Sequence, residues 1–182
     1  MKSIRIVPIA FLLLSLPYPA VSTCPPEKKF PEIRIFISKN QLINLQSTTD
    51  EKLELSKALM LIGHDTAHVK EIHARGNNSL KFKRKSLSVE LDKSLTVHAN
   101  EKKTHLKKFD LLNLVMDKNL WHNRWSDINL ETLGLLPISN FYCKVWINDQ
   151  PQGIFLLVEK PQQAQAKLKS PYMLRRSESY HQ

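Results

Sequence analysis

The stretch that decides the fold runs from residue 138 to residue 159: Ile-Ser-Asn-Phe-Tyr-Cys-Lys-Val-Trp-Ile-Asn-Asp-Gln-Pro-Gln-Gly-Ile-Phe-Leu-Leu-Val-Glu. Its first arm alternates, with Phe141, Cys143, Val145 and Ile147 on one face, the period-two signature of a half-buried strand. Asn148 to Gly153 has turn composition. Ile154 to Val158 is apolar on both faces, which places it centrally in a sheet. The segment therefore predicts an antiparallel hairpin at the heart of the core.

Working outward, Glu32 to Ile37 alternates with Ile33, Ile35 and Ile37 inward. Val69 to Ala74, Lys85 to Leu91 and Phe109 to Val115 read as further strands. Glu51 to Met60 reads as a short helix or an insert, and the basic run from Lys93 to Lys108 as a loop. Asp117 can cap a helix running to about Leu133 and closed by Gly134, with Trp121, Trp125, Ile128 and Thr132 on one stripe. Gln162 to Lys167 is helical or loose. The expected class is α+β: an antiparallel sheet with one main helix.

The N-terminus reads as an address. Lys2 and Arg5 precede an apolar run from Ile6 to Leu16, and Ala20-Val21-Ser22 supplies small residues for a signal peptidase. The run is too short for a bilayer span, which takes about 20 residues. Residues 1–22 are thus expected to be a signal peptide and residues 23–31 an extended leader. The mature chain is expected to be exported, with no transmembrane segment. Cys24 raises lipoprotein processing, against which Thr23 is a poor fit at the preceding position. Outside the cytosol, Cys24 and Cys143 could pair; alternatively Cys143 is a small apolar core residue.

Composition excludes several classes. The 182 residues hold 27 Lys+Arg against 17 Asp+Glu, 4 Gly and 2 Cys. Two cysteines cannot build a disulfide-dense scaffold or a four-cysteine zinc site. Neither glycine-rich nucleotide motif occurs. His64 and His68 are four apart, the spacing of one helix face, but no third ligand is evident and no metal site is assigned. No catalytic Ser/His/Asp pattern can be read.

Two cationic features remain. Arg75-Gly76-Asn77-Asn78-Ser79 is a glycine turn followed by Lys81, Lys83, Arg84 and Lys85, a composition able to hold phosphate oxygens. Lys85 shares strand parity with Leu87, Val89 and Leu91, so it should point inward, where it must snorkel or meet an anion. Residues 81–108 also carry nine Lys/Arg against Glu90, Asp92 and Glu101. That block could meet an anionic surface. Its single aromatic residue, Phe82, argues against nucleic-acid binding by base stacking.

These pieces together resemble the CotH kinase family, named for a spore coat protein. "IHARGNNS" (72–79) is similar to its R-G-x-x-S turn, and "KRKSLSVEL" (83–91) to its K-K-S strand. "KKFDLLNLVMDKNL" (107–120) and the hairpin with its N-x-x-x-x-G turn follow in the family's order. The resemblance covers about half the chain. It implies a two-lobed α+β fold like that of atypical protein kinases, binding ATP with Mg²⁺ and phosphorylating protein substrates. Arg75, Gly76, Ser79 and Lys85 would then form the nucleotide side of the small lobe, with Lys85 on the phosphates and Glu159 approaching the adenine.

The chain departs from the family where an Arg usually follows soon after the Asp: here Asp117 precedes Lys118-Asn119-Leu120-Trp121-His122-Asn123-Arg124. The family's acidic second lobe would begin near residue 161, so residues 161–182 are expected to be its truncated start, and the catalytic residues are not assigned. A truncated kinase, weakly active or inactive alone, is one expectation. The other is a non-catalytic exported envelope or coat module that binds through its basic surface.

Overall fold

The computed structural model describes residues 30–47, 57–99, 102–135 and 138–168. The expected signal peptide, nearly all of the expected leader, Cys24 and residues 169–182 lie outside them.

The decisive hairpin forms as read. Strand β6 (Asn140–Ile147) turns into β7 (Gln150–Glu159). The turn is tighter than composition suggests: Asn148 and Asp149 both have positive φ, 48° and 60°, the two-residue geometry that matches strand twist. Asn148 Oδ1 accepts from Ile37 N at 2.9 Å and its Nδ2 donates to Ile37 O at 2.8 Å. The turn is thereby stitched to the N-terminal strand β1 (Glu32–Phe36).

β1 leads into helix α1 (Lys39–Ser47), then β2 (Leu59–Ile62), β3 (Asp65–Arg75), β4 (Ser86–Ala99) and β5 (Lys102–Leu112). Helix α2 (His122–Thr132) precedes β6, and α3 (Pro161–Leu168) follows β7. The seven strands close into a barrel in the order β1-β2-β3-β4-β5-β7-β6. All neighbours are antiparallel except β1 and β6, whose parallel pairing, Ile33 opposite Val145, closes the ring. The sheet-with-one-helix expectation is thus corrected to a closed, mostly antiparallel barrel with three α-helices among the described residues. The inward residues of every strand fill one continuous core, with Phe109, Phe155, Ile33, Ile35, Met60 and Ile72 fully buried.

The Lys93–Lys108 loop is also corrected: the run forms the far halves of β4 and β5. Leu95, Val97 and Leu106 are buried while Lys93, His98, Lys103, His105 and Lys107 are exposed. The alternation is real, but charged side chains fill the solvated outer positions and dominate the composition. A register shift between Glu90 and Leu95 bends β4 here.

α1 and β2 were not anticipated as such. α1 starts with a reciprocal cap: Ser38 Oγ accepts from Gln41 N at 3.2 Å, and Gln41 Oε1 accepts from Ser38 N at 3.1 Å. The helix buries Leu45 beside the end of the barrel that holds Ile147, Phe155 and Leu87. Cys143 is a free thiol, fully buried on β6 with Sγ 3.7 Å from Phe155 O. Burial pushes it up to about 12, the behaviour of a small core residue.

Candidate functional site

The glycine turn stands where β3 ends. Gly76 has φ +104°, and a Cβ there would overlap the Ser79 hydroxyl, so this position requires glycine. Ser79 Oγ in turn donates to Arg75 O at 3.4 Å. Asn78–Lys81 form a single 3₁₀ turn, which places the buried Leu80 beneath it.

Lys85 points inward, as strand parity predicts, and its ammonium donates to Leu80 O. Burial lowers its pKa from the ordinary lysine value. It lies under α1, with Leu42, Leu45 and Gln46 around a gap of about 10 Å³, room for no more than a single water. Lys85 therefore fastens the 3₁₀ turn to the barrel in this arrangement. Lys81 and Lys83 are exposed on the same loop.

Arg75 leaves on the opposite face of the sheet. Its guanidinium pairs with Asp110 on β5, which also accepts from Ser88 Oγ at 2.8 Å. Glu159 is inward and fully buried, but far along the barrel. It sits opposite Phe109, in the row of Val89, four residues along β4 from Lys85 and two strands over. At ~3.3 Å per residue that is about 13 Å along the strands. Ser139 N donates to Glu159 Oε2 at 3.3 Å, and Gln163 Nε2 to Oε1 at 2.6 Å. Arg75, Gly76, Ser79 and Lys85 thus share one loop and its anchors, whereas Glu159 is separated from them.

Three residues take roles the sequence reading did not give them. Arg84 donates to Gln152 O at 3.1 Å and to Asn113 O, and lies over Phe155 with its charge centre 5.2 Å from the ring centroid. Desolvation by burial lowers its pKa. Gly153 makes room for it: a Cβ there would stand 2.9 Å from Arg84 Nη1. Asn113 Nδ2 donates to Arg84 O, and Asn113 N to Ser86 Oγ at 3.1 Å. The third is Gln163, which donates to Glu159 Oε1 and accepts from Lys108 N at 2.8 Å. The signal for Arg84 was present, since a glycine in a hairpin arm marks a close approach.

His64 and His68 do not share a helix face. His64 is in the β2–β3 turn and His68 is exposed on β3. Among the described residues no group of three or more His, Cys, Asp or Glu could hold a metal ion, so they do not supply a Mg²⁺ ligand set. Among the described residues the carboxylates do not form a set that fits a divalent metal.

No curated protein matches this chain significantly. The family model described as CotH kinase protein matches residues 72–180, from within β3 through the hairpin and beyond α3. That is more than half of the 182 residues and includes the glycine turn, Lys85, Gly153 and Glu159, so the chain belongs to the CotH kinase family.

Proposed function

We propose that this chain carries the nucleotide-binding side of a CotH-type atypical protein kinase, and that the loop from Gly76 to Lys85 receives the phosphates of ATP. The family match over 72–180 carries the proposal. It is supported by a glycine whose Cβ space is taken, and by exposed Lys81 and Lys83 on a turn pinned from below by Lys85. Phosphoryl transfer rests largely on positioning and on cations around the transferring group. Here Lys81 and Lys83 would attract the phosphates and Lys85 would hold the loop's shape. The family's Mg²⁺ neutralises phosphate charge when bound. No step through it follows from the described carboxylates, so the purified chain is expected to bind nucleotide with little or no transfer to protein.

Calorimetric titration with ATP tests this reading. Lys85→Ala should weaken binding markedly while Lys102→Ala, remote on β5, should not; equal effects would remove the role of Lys85. Robust Mg²⁺-dependent phosphorylation of protein by the purified chain would refute the expectation of weak activity. Access to Lys85 itself requires α1 to shift, since the gap between them holds no phosphate.

A second reading has its own observation. Among the described residues Lys93, Lys103 and Lys107 are exposed on the β4–β5 hairpin without a carboxylate partner, unlike Lys102, Lys108 and Lys70. An exported envelope or coat module binding an anionic surface would use them. Such binding would weaken steeply with salt and need no ATP.

A further inference from the structure

Helix α2 buries none of its own side chains. Polar ties hold it in place: Asp117 Oδ2 accepts from His122 N at 2.9 Å, Glu131 pairs with Lys102 at 2.8 Å, and Tyr142 donates to Leu120 O. Ile128 is half-buried, but the larger apolar residues on and beside the helix are exposed. Trp121 and Trp125 are 52% and 54% exposed, one turn apart with ring centroids 6.1 Å from each other. Met116 before the helix is 63% exposed, and Leu133 and Leu135 after it are 70% and 53%. Taking ~200 Å² for each large side chain, these five expose roughly 600 Å² of apolar surface. Patches beyond a few hundred Å² are uncommon on monomers.

We propose that this face is the interface of a symmetric homodimer in which two copies of α2 pack antiparallel. Two properties of the helix favour a second copy over another occupant. The exposed apolar area approaches the ~800 Å² that each partner contributes to an ordinary stable interface. The apolar groups lie at both ends of the helix, so a two-fold axis near its middle sets Met116 and Trp121 of one copy against Leu133 and Leu135 of the other.

The test is sedimentation velocity of the purified chain from about 1 to about 200 µM, the range in which an interface of modest affinity dissociates. A reversible monomer–dimer equilibrium is expected. Trp121→Ser and Trp125→Ser should each weaken it about tenfold or more, as central aromatic contacts do, with unchanged circular dichroism. A chain monomeric throughout the range overturns the proposal, as does a dimer indifferent to both tryptophan substitutions.

Discussion

Removing the Gln163 side chain should be among the most damaging single changes outside the apolar core. β7 ends at Glu159 while β5 continues, and α3 brings Gln163 into the place of the missing strand. Its Oε1 accepts from Lys107 N at 2.9 Å and Lys108 N at 2.8 Å; its Nε2 donates to His105 O at 2.7 Å and Glu159 Oε1 at 2.6 Å. All four hydrogen-bonding positions of the amide are used. Gln163→Ala takes one donor from a fully buried carboxylate, which costs about 1.5–3 kcal/mol. The three backbone groups lie nearer the surface, where water replaces most of the lost bonding, adding about 1 kcal/mol together. The expected loss is therefore about 2.5–4 kcal/mol, or roughly 8–12 °C in Tm at about 3 °C per kcal/mol for a chain of this size. Urea and thermal unfolding followed by circular dichroism would measure it. Gln163→Glu should be no better, because it replaces a donor to Glu159 with a second carboxylate oxygen. A loss under about 0.5 kcal/mol for both variants would refute the reasoning and show α3 to be loosely attached.

Other outcomes follow from single contacts. Gly153→Ala must hold a side chain at φ +93° against Arg84 Nη1 at 2.9 Å, so it should cost more in denaturant unfolding than Gly134→Ala, where φ is +69° and no atom lies within 4 Å. The Asp117 carboxyl is held below its usual range first by the His122 side chain and then by backbone N–H groups at the start of α2. Its contribution is complete above the unfolded value of about 3.9 and is lost as pH falls through the lower folded value; tryptophan fluorescence should show this acid-side loss of α2 order in the native chain and not in Asp117→Asn. The Cys143 thiol, buried and raised to about 12, should resist iodoacetamide at pH 8 until the chain is denatured, as peptide mass spectrometry would show.

How legible the fold was depended on whether outer-face residues hid the inner ones. β1 and β6 were readable because single outward residues such as Glu32, Arg34 and Lys144 alternate one for one with large inward ones, and β7 because Ile154 to Val158 is apolar on both faces. The far halves of β4 and β5 were not, because lysines and histidines at the outer positions outnumber Leu95, Val97, Thr104 and Leu106. α1 could have been read from Ser38 and Gln41, a reciprocal cap that its weak apolar stripe obscured. Barrel closure was beyond local pattern: nothing near Ile33 announces Val145 as its neighbour. At the candidate site the glycine turn and the inward lysine were legible from residue type and parity. That Arg75 would turn outward to Asp110, and that Lys85 would spend its charge on Leu80 O, depends on neighbours distant in sequence.

The parallel seam between β1 and β6 also has a kinetic consequence. More than a hundred residues separate the two strands, and Arg34 reaches Asp149 across a separation of 115 positions. A chain emerging from its N-terminus cannot close the ring until β6 has been made, so β1 must wait as an unpaired apolar edge. Contacts of such long range slow folding, and waiting edges recruit other chains. Closure then removes both exposed edges in a single late event, so partly folded chains, more than native ones, carry the risk of aggregation.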